Sequence, residues 1–413
     1  MKKLNGYFKQ IKNGSLKGEF GIVWKFFYNN LLAYILLYLQ NVLINRYMPL
    51  ESLGQFSYGQ SMMILFSSVY SMEVYSVYLR FIGCNNEKEL LRIVRKVLFI
   101  ASALFSVTVL IYFRLPLYIL FFGYMWMRER LYFFRAKMDI STYGRIKIFQ
   151  YLLSIFILFI LIIFNGLNEK SMLVGISISY LAVSLVYNFN DKAKKIIKLE
   201  DDLPAVETKE IIRYALPLSF NAIVVWLLGA ADQMLIDRYL DAMTLTYYSV
   251  GFRIINVIRI GTGVIMEYWP RFYFERMGRR DYSAVKIMHI IFMGVVAALC
   301  VGTIVFSKPL YWLMGASQYS DMRWMFSMLA AAELFRQWGS INITFQSYMK
   351  NTSINVLCLS VLGGIKLIIN WMFIKEAGVS ILFHTTLGCY FLYYMCSLYF
   401  GSWKERQYMK QNP

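Results

Sequence analysis

The chain of 413 residues is 58% hydrophobic and 18% aromatic but only 16% charged, where a soluble domain carries roughly a quarter. That balance, with 32 Phe, 32 Tyr and only 7 Pro, excludes a soluble globular, disordered, collagen-like or disulfide-scaffold chain. A net charge of +19 is compatible with nucleic acid or a membrane. The cations fall between apolar runs, without a zinc-finger, helix-turn-helix or RNP signature, so a membrane is the expected partner and nucleic acid is not.

The first residues, 1–21, put Leu4, Tyr7, Phe8 and Ile11 on one helical face and lysines on the other, as in a helix lying on an anionic inner leaflet; a frayed basic tail is the alternative. About twelve segments of roughly 20 mostly apolar residues follow. They cover 22–44, 57–79, 93–113, 115–135, 146–164, 171–189, 212–236, 247–269, 286–306, 324–348, 353–374 and 377–400. The first is too long for a signal-peptide core and runs into Asn45-Arg46-Tyr47 instead of a small-residue cleavage site, so it is expected to be retained.

Lys and Arg sort by connection. The N-terminus, the even-numbered loops and the C-terminus hold 31 of them, including Arg80, Arg95, Arg128, Arg130, Lys192, Arg276 and Lys404, against 7 in the other loops. Short cytoplasmic loops collect cations, so both termini are expected in the cytoplasm.

An internal repeat divides the chain. At an offset of 192 residues, Asn45-Arg46-Tyr47 aligns with Asp237-Arg238-Tyr239 and Ser57-x-Gly59 with Ser249-x-Gly251. The offset carries the first span onto the seventh, so the expected fold is an all-α integral membrane protein of two six-helix bundles. An even number of spans gives both the same orientation, related by a pseudo-twofold axis along the membrane normal. The predicted organisation is an N-terminal bundle at 1–190, a cytoplasmic linker at 191–209 around Glu200-Asp201-Asp202, a C-terminal bundle at 210–402 and a cytoplasmic tail at 403–413.

Such bundles serve alternating access. A membrane polymerase or ligase of polysaccharides needs a large outer loop for its chemistry, and the longest here is about 17 residues, near Ser307–Arg323. His289 and His384 are isolated, and Cys84, Cys300, Cys358, Cys389 and Cys396 lack metal-ligand spacing, so neither a catalytic triad nor a metal or cofactor site is expected.

The run Asp232, Met234-Leu235-Ile236, Leu240, Tyr248-Ser249-Val250-Gly251-Phe252-Arg253 and Pro270-Arg271-Phe272 resembles the C-terminal-half pattern of polysaccharide-exporter (O-antigen) flippases. These belong to the multidrug/oligosaccharidyl-lipid/polysaccharide (MOP) superfamily. Leu53-Gly54-Gln55-Phe56-Ser57-Tyr58-Gly59 looks like the matching stretch of the first half, while Tyr247-Tyr248 departs from the small residues often found there. The resemblance implies a transporter of the bacterial inner membrane for undecaprenyl-diphosphate-linked O-antigen or capsule units, with a central cavity between the halves and other polysaccharide-assembly proteins as partners. A cation-coupled drug exporter of the same superfamily is the alternative, and a polymerase or ligase the alternative from another class.

Five cations lie inside the predicted spans: Lys25, Arg253, Arg259, Arg336 and Lys366. Each costs at least about 2.5–3.5 kcal/mol at mid-membrane unless it faces protein or water. With Asn256 and Asn370 on the same faces, they are the expected contacts for the diphosphate or acidic sugars of the substrate. A buried ion pair is the competing reading, most directly for Arg336 with Glu333 three residues before it. Asp232 and, more weakly, Glu333 are the expected sites for a coupling cation or proton; Glu73 and Glu267 are weaker still. Pro217, Gly261-x-Gly263 and Gly363-Gly364 are expected hinges or close-packing points.

Overall fold

The computed structural model describes residues 17–82, 86–137, 139–189, 207–317, 323–349, 351 and 353–411. Among these residues the chain is all-helical, without a strand. The amphipathic face at Leu4–Ile11 and most of the 191–209 linker lie outside the described residues. In chain order the helices are α1 (Lys17–Tyr47), α2 (Leu50–Ser71), α3 (Tyr78–Phe81), α4 (Glu87–Phe113), α5 (Gly123–Ala136), α6 (Ile140–Ile163), α7 (Glu169–Phe189), α8 (Thr208–Gly229) and α9 (Ala231–Tyr239). They continue as α10 (Ala242–Gly278), α11 (Tyr282–Val305), α12 (Ser307–Leu313), α13 (Arg323–Asn342), α14 (Thr344–Tyr348), α15 (Ser353–Ala377), α16 (Ser380–Ser397) and α17 (Lys404–Gln411).

Every segment expected to span the membrane is met by a helix or a broken helix pair. Among the described residues, seven helices are long and apolar enough to cross a bilayer, or eight if a bent pair made of α2 and Val74–Phe81 is one span. The other four expected segments are polar inside: α1 carries Asn29, Asn30, Gln40 and Asn41, α5 carries Arg128, Glu129 and Arg130, α10 carries Arg253 and Arg259, and α13 carries Glu333 and Arg336. The bent pair turns by 58°. Its corner is Met72 and Glu73, both left-handed at φ 48° and 50°, a conformation that costs a non-glycine residue roughly 1–2 kcal/mol. Pro217 sits inside α8 and Pro270 inside α10 without ending either helix.

Polar caps set several helix starts. Asn86 accepts from the Glu89 amide at 3.0 Å, which begins α4 six residues before the expected span, and Asp139 and Asp281 cap α6 and α11 in the same way. Asp241 accepts from the Thr244 amide and hydroxyl, both at 2.8 Å, and these bonds hold its carboxyl below its ordinary range. Asp241→Ala should cost about 1 kcal/mol. Because the folded pKa is depressed, the cap contributes fully above the unfolded value of about 3.9 and is lost as pH falls through the lower folded one. Thermal melts of wild type and Asp241→Ala should therefore differ at pH 6 and converge toward pH 2.

The chain groups into two compact units, one of Leu32–Asp237 with Asp241–Thr246, the other mainly of Tyr247–Pro413. In the first, α2 packs on α4, α7 and α8, and α5 on α7. The core there is aromatic, with Phe121 against Phe105, Tyr124 and Tyr180. In this unit the two repeat stretches also meet. A Cβ on Gly54 would lie 3.1 Å from the Thr246 hydroxyl, which donates to the Leu50 carbonyl at 2.7 Å, and Gln55 donates to Asp237 at 2.6 Å.

In the second unit α13 packs on α11 and α16, and α15 on α16. Trp269 is fully buried and donates to the Ile341 carbonyl at 3.2 Å, while the Tyr273 hydroxyl donates to Glu405 of α17 at 2.7 Å.

Candidate functional site

In the second unit, α10 and α13 bring two arginines onto one carboxylate. Glu333 is 2% exposed. Arg336, one turn further along α13, grips it with a forked pair of bonds, Nε to Oε2 at 2.9 Å and Nη2 to Oε1. Gln337 Nε2 donates to Oε1 at 2.7 Å, and Arg259 of α10 adds Nε to Oε2 at 3.3 Å. The Arg259 guanidinium also lies over the Phe252 ring, 4.4 Å from its centroid. A buried carboxylate is costly, and forked, charge-assisted bonds offset that cost. The carboxylate is sealed while the Arg259 and Arg336 side chains remain 30% and 27% exposed. The accessible face of the cluster is thus cationic, with a surplus of one positive charge.

Lys366 and Asn370 lie one turn apart on α15, both fully buried. Asn370 Oδ1 accepts from Thr385 of α16 at 2.6 Å. The Lys366 ammonium is enclosed by protein and reaches no solvent in this conformation. Arg253 on α10 is 7% exposed; Asp232, on α9 in the first unit, is 1% exposed. The side chains of Lys25 and Asn256 lie outside the described residues.

The structure therefore joins Arg259, Arg336 and Glu333, and sets Lys366 beside Asn370. The pairing of Arg336 with Glu333 is visible in the spacing; that of Arg259 with a residue 74 positions away is not. Two acid–base clusters of the first unit went unforeseen, because Arg128 and Arg130 were assigned to a cytoplasmic loop. Both lie within α5. Arg128 forks onto Glu73 at 2.9 and 3.1 Å and is flanked by the rings of Tyr75, Tyr124 and Tyr132. Arg130 pairs with Glu129 at 2.8 Å. The available signal was Glu129, a carboxylate between two arginines inside the expected span 115–135.

No known family profile and no curated protein sequence matches the chain. Solved structures do match in fold. An inward-facing multidrug resistance MATE family transporter of the MOP superfamily superposes with a TM-score of 0.69 at 14% identity, covering 92% of this chain and 95% of its own. An outward-facing structure of such a transporter gives 0.69 at 12% identity, covering 94% and 96%. A variant of the Vibrio cholerae MATE transporter VcmN gives 0.66 at 14% identity, again covering 94% and 96%. The chain thus has the fold of MATE transporters of the MOP superfamily over nearly its whole length.

Proposed function

We propose that the chain is a multi-pass inner-membrane transporter with twelve spans in two six-helix halves and cytoplasmic termini, and that it flips lipid-linked oligosaccharides by alternating access. The observation that carries this reading is the partly exposed arginine pair, Arg259 and Arg336, on the sealed Glu333 carboxylate, a cluster suited to a diphosphate or acidic sugar. The fold shared with MATE transporters supports transport, and the absence of a long outer loop in the sequence weighs against a polymerase or ligase. The meeting of Gly54 with Thr246, 192 residues apart, supports the duplication, since equivalent positions approach each other near a twofold axis.

In this reading Arg259 and Arg336 bind first. Arg253, Lys25, Asn256 and the enclosed Lys366–Asn370 pair serve other stages of the cycle, and Lys366 becomes accessible only when α15 moves against α16. Glu333 sets the arginine geometry, which leaves Asp232 as the stronger site for a coupling proton or cation.

Charge reversal tests the site. Arg259→Glu, in cells with an undiminished protein level, should abolish surface glycan and leave single lipid-linked units protected from an impermeant sugar-modifying reagent on intact spheroplasts. Full surface glycan would overturn the cationic site; accessible units would move the block to a later polymerising or ligating step. The second reading, a cation-coupled drug exporter, is favoured by the multidrug transporters among the fold neighbours. It predicts unaltered glycan and increased drug susceptibility on depletion.

A further inference from the structure

The first unit contains a cavity of about 550 Å³ outside the candidate transport site. Arg95, Phe99 and Ser106 of α4 line it on one side, and Leu181, Leu185 and Asn188 of α7 on the other. The lining of α4 extends from residue 95 to residue 106, about 16 Å of helix. Both helices are long and apolar enough to cross a bilayer. Phe99 and Leu185 stand 71% and 47% exposed, so the walls open toward the lipid.

One end of the cavity is charged. Asn188 donates its amide Nδ2 to the Ser184 carbonyl at 2.8 Å, which turns Oδ1 toward two arginines. Arg130 Nε donates to that oxygen at 2.6 Å and Arg95 Nη2 at 3.3 Å. Glu129 lies between them, 2.8 Å from Arg130 Nε and 3.8 Å from Arg95 Nε, with Tyr78 donating to its Oε1 at 2.8 Å. Two guanidiniums thus share one carboxylate and one carbonyl oxygen. Among the described residues the buried Arg130 Nη2, Arg95 Nε and Glu129 Oε2 have no hydrogen-bond partner, while the Arg95 side chain is 36% exposed. A cluster with one surplus positive charge, reaching the cavity through the accessible Arg95 side chain, attracts an anion. Apolar walls leading from that point call for a hydrocarbon chain.

We propose that this cavity is a binding site for an anionic membrane phospholipid, with the phosphodiester on Arg95, the buried Arg130 adding positive charge behind it, and one acyl chain along α4 and α7. Basic pockets between helices on the cytoplasmic side recognise such headgroups, and the charge distribution of the sequence places this end of α4 there. The site rests on the membrane reading and not on the transported substrate.

The test uses the full chain, delipidated in detergent and titrated with phosphatidylglycerol, phosphatidylcholine or inorganic phosphate, with bound lipid counted by native mass spectrometry and Tm followed in parallel. Phosphatidylglycerol should bind at least about fivefold more tightly than phosphatidylcholine, and Arg95→Gln should remove most of that preference. Ser106→Trp fills the far end of the cavity with the arginines untouched and should lower lipid occupancy in a protein whose lipid-free Tm is retained. Equal binding of the two lipids, a Tm shift reproduced by inorganic phosphate, or full occupancy in Ser106→Trp would each overturn the proposal. Should Arg95→Gln fail to fold, the lipid comparison on wild type and the Ser106→Trp count decide it.

Discussion

Glu333→Ala is expected to destabilise the second unit by about 3–5 kcal/mol, because it strands two guanidiniums that now share one buried carboxylate. Gln337 also loses its acceptor. Glu333→Gln should be nearly as damaging, since the amide keeps the shape but not the charge. Adding Arg336→Gln to Glu333→Gln should recover part of the loss, because it removes one of the uncompensated cations. The apparent Tm of detergent-solubilised protein is the readout. A loss in Glu333→Ala below about 1 kcal/mol, the size of an average substitution, would mean that the arginines are held by other groups and that the carboxylate does not organise the site.

Gly123→Ala should have a comparable effect, about 3 kcal/mol, for a steric reason. A Cβ on Gly123 would lie 2.5 Å from both the Cα and the amide nitrogen of Leu181, so the contact is with the backbone of α7 and no side chain can turn aside. Gly263 and Gly364 meet nothing within 4 Å. Alanine at either should be neutral or stabilise by roughly 0.5–1 kcal/mol through helix propensity. Comparing the three variants in one Tm series separates close packing from composition. A harmless Gly123→Ala would show that α5 and α7 are free to separate.

That contrast shows where sequence reading runs out. Gly261-x-Gly263 and Gly363-Gly364 attract notice because they are paired. Only Gly261 of the first pair is crowded, by a movable Leu299 side chain, while the unpaired Gly123 lies against the backbone of α7 at Leu181. The apolar segments were legible because hydrophobicity over 20 residues is a property of the chain alone, and every expected span coincides with helix. The breaks after α2 and α8 were not legible, since Met72, Glu73 and Ala230 are residue types that carry no turn signal. Of the site, the spacing of Glu333 and Arg336 revealed their pairing, because i and i+3 share a helix face. Arg259 joins them only through the packing of the helices. The loop assignment of Arg128 and Arg130 failed for a related reason: a charge count cannot distinguish a solvated cation from one held by a buried glutamate.

The corner at Met72 and Glu73 makes positions 72, 73 and 128 depend on one another over evolutionary time. Two left-handed residues form the corner, and the fork from Arg128 holds the second of them, Glu73. Glycine at position 72 would relieve the Met72 share of the backbone penalty, but the buried Glu73 carboxylate would still need Arg128. Loss of Arg128 in the present background would leave the penalty and remove the clamp. Arg128 can therefore be lost only after position 73 has given up its carboxylate, so that ancestry as well as chemistry decides which residues occupy this bend.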